Sequence, residues 1–282
     1  MVEARSHLGE ARTQSRWTAA PVLLLALTLA YLGVIIVLPL GALVVRAMSL
    51  GFGNLLTAMR NANAVHALQV SLSLAAIAVA VNCVVGVAGA LVLVRHRFVG
   101  RRALDAIVEL PLAISPVAIG LTFLLLFGRG GWLAPGLASL GVKLPFAFPG
   151  MVLATLFVTL PYTLREVVYV LREIGTTEEE VAATLGASPI QTFVRVTLPN
   201  VRHALGYGVL LTAARALGEF GAVLVIGGDI TESTQTATTY IYAAIEERNA
   251  AGAYGMALVL AATSVGLLIG IDWLGHRRRG AA

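Results

Sequence analysis

Long apolar runs alternate with short polar links along this chain. The runs are Val22–Val45, Val65–Val94, Ala106–Phe127, a fourth from Pro149 through Leu164, Ala204–Ile226 and about Ala250–Leu274. A stretch of about 20 apolar residues is long enough for a helix to cross a bilayer, so the pattern predicts six spanning helices. Alternating segments of about ten residues, the mark of a transmembrane β-barrel, are absent. The third run contains Glu109, Pro111 and Pro116 and is neither uniformly apolar nor a straight helix. The fourth is short unless Tyr162–Leu171 carries it onward. The second holds Gly86 and Gly89, small residues that let helices approach closely. Gly266 and Gly270 in the sixth have GxxxG spacing, but in a chain with 29 glycines that spacing marks no specific dimer.

The longest polar interruption is Gly175–Pro199, GTTEEEVAATLGASPIQTFVRVTLP. It predicts two short helices meeting at a sharp corner. Thr177 and Glu180 have capping-box spacing, with Thr176 and Glu179 as an alternative frame. Glu178, Glu179 and Glu180 stand in a first turn, where the helix dipole favours negative charge. Val181, Ala182 and Leu185 form a small apolar face. Gly186 falls where a left-handed glycine stops a helix. Ser188, Pro189 and Gln191 start the second helix as cap, first residue and capping-box partner. That helix is expected to end before Pro199. Helix, glycine turn and helix is also the plan of a DNA-binding module. Here the second helix offers only Gln191, Thr192 and Arg195, and three glutamates on the first repel phosphate. No nucleic-acid partner is expected. The elbow reads as a docking knob for a partner protein.

Composition sharpens the membrane reading. The chain has 282 residues, 58% hydrophobic and 12% charged, with a mean hydropathy of +0.85. Soluble domains have roughly 25% charged residues. The basic balance reflects arginines at one face. Arg5, Arg12 and Arg16, the block Arg95, Arg97, Arg101 and Arg102, then Arg165, Arg172, Arg195 and Arg202, and finally Arg277, Arg278 and Arg279 fall on one side of a six-span layout. Only Arg46, Arg60, Arg129, Lys143 and Arg248 fall on the other. Positive residues collect in the cytoplasm, so both termini and the elbow are expected inside. The expected divisions are a cytoplasmic tail at 1–20, a spanning domain at 21–275 with the elbow at 175–199, and a basic tail at 276–282. The first run is too long for a cleaved signal. Outside lie Gly128–Gly150, rich in Gly and Pro and holding Trp132, and Gly227–Asn249, in which Tyr240–Arg248 is expected as a helix lying at the interface. Cys83, the single cysteine, reads as a small packing residue.

Catalytic signatures are missing. Lys143, the one lysine, follows Val142, so the chain has no GxxxxGK[ST] phosphate loop and cannot be a P-loop ATPase. The five histidines are scattered, without HExxH or a metal-ligand cluster, and no GxSxG occurs. No catalytic or metal-binding residue is expected.

Ionisable residues inside the spans carry more information. A charge at a span centre costs roughly 2.5–3.5 kcal/mol on insertion scales. Arg215 and Glu219 are spaced i, i+4 on the fifth run, so each can neutralise the other. They read either as a structural pair locking helices or as lining of a translocation path. Glu109 reads as an interface residue. Ser115-Pro116 breaks the third helix and frees backbone groups, which are tolerated only beside protein or a water-filled path. Ser115, Pro116, Arg215 and Glu219 are therefore the candidate path or gate residues.

The spacing Glu180-Val181-Ala182, three residues, Gly186, nine residues, Val196, one residue, Leu198-Pro199 resembles the EAA motif of ABC-importer permeases, with mild apolar departures at Val181 and Val196. Leu110–Leu121, Phe148–Leu171, Thr184–Asn200 and Ala214–Gly228 are similar to the sulfate/thiosulfate permease group, with molybdate and tungstate permeases close by. Ser115-Pro116 and Phe-Val-Thr-Leu-Pro at 157–161 are most similar to the W-type sulfate subunit. The resemblance covers most of the chain after residue 65 and is weak in the first 60.

The resemblance implies an all-α, six-span permease of the type I ABC-importer fold in the inner membrane. It implies that Glu179, Glu180, Val181, Ala182, Leu185, Gly186, Ala187, Ser188 and Pro199 shape a coupling elbow that docks on ABC ATPase subunits. ATP with magnesium would be bound by those partners, leaving this chain without a cofactor. The further implied partners are a companion permease, an extracytoplasmic substrate-binding protein and membrane lipid. A homodimeric molybdate or tungstate permease and a membrane scaffold that only recruits a partner are the alternatives.

Overall fold

The computed structural model describes residues 19–279, and these are helical apart from turns and links, with no strand among them. The expected tails at 1–20 and 276–282 lie outside the described residues, apart from helix backbone at 19–20 and 276–279. Two compact units divide at Ser49 and Leu50.

In the first unit, α1 (Ala19–Leu32) continues through a wide π turn, Gly33–Val37, into α2 (Leu38–Ser49). The run Val22–Val45 has no polar face, and large side chains such as Leu23, Leu27 and Val45 are mostly exposed. A helix that is apolar all round is suited to lipid.

The second unit begins with α3 (Phe52–Met59), a short helix in what the sequence suggested was only a polar link; it packs on the last helix. Then come α4 (Ala62–Arg95), the bent pair α5 (Arg101–Ala113) and α6 (Pro116–Phe127), the short α7 (Ala134–Ser139), and α8 (Phe148–Ile174). The elbow helices α9 (Thr177–Thr184) and α10 (Pro189–Thr192) lead through a second π turn, Phe193–Thr197, into α11 (Leu198–Leu217). After them come α12 (Gly221–Gly227), α13 (Ala237–Glu246) and α14 (Ala250–Arg279). Pro21–Ser49, Ala62–Arg95, Phe148–Ile174 and Ala250–Leu267 are long and apolar enough to cross a membrane. Two further helix pairs reach that length and hydropathy only when each is taken together across a bend: α5 and α6 meet at 113°, and the helix Pro189–Leu217 meets α12 at 55°. The fourth crossing does continue past Leu164, to Ile174.

The centre of this unit is α8, packed on α4 and α11. Small residues permit the contact. A Cβ on Gly208 of α11 would lie 2.8 Å from Thr163 Cα, so the backbones touch. Thr163 itself shares a hydrogen bond with Thr212 at 2.8 Å. One turn earlier on α8, Thr159 accepts from Asn82 of α4 at 2.8 Å. These bonds join helices where neither water nor hydrophobic contrast with lipid is available.

One expectation fails in this unit. The helix after the elbow does not end before Pro199. Leu198 N–H reaches back to Phe193 O, and the widened turn makes room for the Pro199 ring, which has no N–H to lose. The same device precedes Leu38-Pro39, where Leu38 N–H reaches Gly33 O. The segment Tyr240–Arg248, expected as a helix, is helical to Glu246. It belongs to α13, which packs on α4 and α14 and buries Ala237, Thr239, Tyr240 and Ala244. The threonines before it supply the reason: Thr236 caps the helix with Thr239 in a capping box, and both are buried.

Candidate functional site: a clamped elbow and two facing helix breaks

The elbow forms as two helices, but by a different capping scheme at its start. Neither Thr177 with Glu180 nor Thr176 with Glu179 makes a capping box. Thr176 is the cap residue, yet its hydroxyl donates to Glu180 Oε1 at 2.6 Å and accepts nothing from the backbone. Glu179 is drawn elsewhere. Its carboxylate pairs with Arg95 Nε at 2.9 Å and accepts from the Thr197 hydroxyl at 2.8 Å. Arg95 also donates to Leu171 O at 3.1 Å and Gly175 O at 2.7 Å. One guanidinium thus ties the ends of α4 and α8 to α9, and Asn200 of α11 adds a bond to Glu178. These charge-assisted bonds are stronger than neutral ones.

The corner follows the sequence closely. Gly186 has φ +84°, its N–H bonds Ala183 O at 3.0 Å, and Ala187 N–H bonds Ala182 O at 3.0 Å. This double bond around a left-handed glycine is a Schellman stop. Ser188 and Gln191 then exchange the two bonds of a capping box, at 3.3 and 2.9 Å. Ala182 and Ala187 are half-buried, while Glu180, Gly186, Ser188 and Pro199 are exposed. The apolar face is uncovered: Val181 is 53%, Leu185 83% and Ile190 77% exposed.

The two bent helix pairs meet each other. Ser115, exposed, starts α6 without a side-chain cap bond, and Pro116, half-buried, is its first residue. A Cβ on Gly221, at the start of α12, would lie 2.8 Å from Val117 Cγ2. A Cβ on Gly120 of α6 would lie 2.8 Å from Ala222 O. The breaks before α6 and α12 are therefore in backbone contact. This brings together the third and fifth runs, which hold the candidate path residues.

At the second break, Arg215 and Glu219 pair at 2.7 Å. Glu219 follows the end of α11, so the pair spans the kink instead of lying along one straight helix. The Glu219 side chain is 1% exposed and that of Arg215 26%. Glu219 Oε1 also accepts Ala222 N–H at 2.9 Å, and its backbone oxygen accepts the Thr238 hydroxyl at 2.6 Å. The Phe220 ring meets Tyr242 of α13 at 5.7 Å.

Sequence reasoning missed Arg95, Thr197, Asn200 and Thr238, because each acts on a residue far along the chain. Glu109, expected at an interface, belongs to an ionic cluster: Arg165 of α8 meets Asp105 and Glu109 of α5 at 2.7 Å each. The spacing of Asp105 and Glu109 on one helix face was the available signal.

The family described as the binding-protein-dependent transport system inner membrane component matches residues 83–280. The sulfate transport system permease protein CysW of Synechococcus elongatus is 43% identical over 88% of this chain and 87% of its own length. The sulfate transport system permease protein CysT of Escherichia coli is 36% identical over 90% and 91%. The fold is that of a chain in the crystal structure of a bacterial alginate ABC transporter with its alginate-bound periplasmic protein. That match has a TM-score of 0.74 over 93% of this chain and 94% of that one, at 18% identity. The chain therefore belongs to the inner-membrane components of binding-protein-dependent transport systems: it is a multi-pass permease subunit of an ABC importer, a transporter chain rather than an enzyme, in the branch that holds the W-type sulfate permeases.

Proposed function

We propose that this chain is the W-type permease of an ABC importer for sulfate or thiosulfate. It pairs with a T-type companion permease, accepts the anion from an extracytoplasmic binding protein, and rests on ATPase subunits that bind ATP with magnesium. The chain itself needs no cofactor. The sulfate reading draws on the names of its relatives, CysW and CysT. The coupling reading draws on one observation above the others: the elbow presents uncovered Val181, Leu185 and Ile190 on a corner capped at Gly186 and Ser188. That corner is anchored to α4 and α8 by Arg95 and Glu179. A rigid apolar knob anchored to the spans is a means of passing movement between an ATPase and a membrane path. Ser115, Pro116, Arg215 and Glu219 line that path or its gate.

The test is uptake of labelled sulfate by cells with and without the gene, with excess molybdate as competitor. Loss of an uptake that molybdate barely inhibits supports sulfate. Unchanged sulfate uptake moves the substrate to molybdate, tungstate or another anion. Gly186→Pro addresses the elbow: proline cannot adopt φ +84° and removes the bond to Ala183. The variant is expected to insert normally and hydrolyse ATP without transport. Normal uptake would remove the coupling role.

A further inference from the structure

We infer that Arg215 is the contact for the travelling oxyanion dianion, and that Glu219 is its built-in counterion, held away from substrate. The inference rests on the oxyanion-permease reading and assigns unequal parts to two residues that reading treats alike.

The inequality is geometric. Glu219 is sealed from substrate: one carboxylate oxygen accepts Ala222 N–H, the other is ion-paired with Arg215 Nη1 without a hydrogen bond, and the side chain is 1% exposed. Its backbone is held as well, by Thr238. Arg215 is not sealed. Guanidinium carries five N–H donors in a planar fork. Among the described residues this one is anchored through Nη1 alone, while 26% of the side chain stays open. Arg215 stands in the last turn of α11, just before the break that leads into α12. Lipid does not tolerate a bare cation there; charged side chains at membrane depth face protein or a water-filled path. Across the break stand Pro116 and Val117, at the start of the other broken helix. A fork with free N–H donors beside the contact of two bent helix pairs fits a tetrahedral oxyanion, whose oxygens accept paired N–H bonds.

The counterion explains how such a site lets its ligand go. An unpaired arginine in a low-dielectric path would hold a dianion tightly. With Glu219 fixed at 2.7 Å, the site is neutral before the anion arrives. It attracts through directed N–H bonds rather than net charge. Thr238 serves as a positioning residue, because its bond to Glu219 O keeps the counterion in place.

The experiment uses the complete transporter in proteoliposomes, with its binding protein and labelled sulfate, molybdate being run alongside. Arg215→Met/Glu219→Met replaces both charges by apolar side chains, an exchange that a purely structural pair tolerates. The double variant is expected to lose about ten- to a hundredfold in uptake, the factor that charge-assisted hydrogen bonds carry. Uptake is expressed per ATP hydrolysed by the same vesicles, so that a loss of assembled transporter does not count as a loss of anion contact. Arg215→Lys keeps the charge opposite Glu219 but not the fork, and is expected to lower uptake several-fold with a raised half-saturating sulfate concentration. It also decides the matter if the double variant fails to assemble. Wild-type uptake by either variant overturns the inference while leaving the oxyanion reading intact. A wild-type transporter that moves neither dianion overturns both.

Discussion

The elbow and the α11–α12 break each interrupt a helix, and they are held in opposite ways. The elbow turns in the open. Its corner is closed by bonds between near neighbours in sequence, Gly186 to Ala183, Ala187 to Ala182 and Ser188 with Gln191. The break turns inside the protein. It is closed by a buried carboxylate, by Thr238 from α13 and by contact with α6. A corner closed by its own residues keeps its shape when its surroundings shift. A corner closed in part by other elements changes when any of them moves. The first arrangement suits a lever and the second a gate.

The contrast can be broken most forcibly at Glu219. Glu219→Met leaves Arg215, whose side chain is only 26% exposed, without its counterion, and removal of one partner of a buried pair costs at most about 3–5 kcal/mol. The expected result is a large drop in the temperature at which the detergent-solubilised chain aggregates, with most of the loss regained in Arg215→Met/Glu219→Met. Equal stability of the single and double variants would mean that the pair does not hold the break.

A smaller effect is expected where the two breaks touch. Gly120→Leu adds a side chain whose first carbon would already lie 2.8 Å from Ala222 O. Overpacking of this kind costs about 1–3 kcal/mol, and cross-linking yield between cysteines placed on α6 and α12 should fall.

The elbow should respond locally. Gly186→Ala meets no neighbour within 4 Å but must hold φ +84°, a left-handed conformation that costs a side chain about 1–2 kcal/mol. Faster hydrogen exchange at 183–187 is expected, with the spans unchanged. Ser188→Ala removes the cap of α10 and costs about 1 kcal/mol; its exchange should quicken only at 189–192. Protection lost in α11 or α12 by either variant would show that the corner is not self-contained.

Much of this was legible in the chain. The spans were, because lipid demands long apolar runs, and so was the break at Ser115-Pro116, because proline interrupts such a run; the break before α12 was not, since the i, i+4 spacing of Arg215 and Glu219 reads as one face of a continuous helix. The second half of the elbow was legible for a local reason: Gly186, Ser188 and Gln191 act within a few residues of one another. The first half misled. Thr177 and Glu180 had the right spacing for a capping box, but Glu179 was claimed by Arg95 from another helix and Thr176 turned to Glu180. Pro199 misled too, since a widened turn accommodates a proline that spacing rules expect to end a helix.

Residue order alone specified an all-helical membrane chain with an exposed, capped elbow, because burial in lipid and helix capping both act on residues near one another in the chain. Helix packing settled the rest: Arg95 anchors that elbow, the two broken helices touch at Gly120 and Gly221, and Glu219 is sealed while Arg215 stays open. Those outcomes depend on side chains from separate elements meeting at contact distance. Local spacing carries no record of such meetings, because they are set by how the helices come together in space.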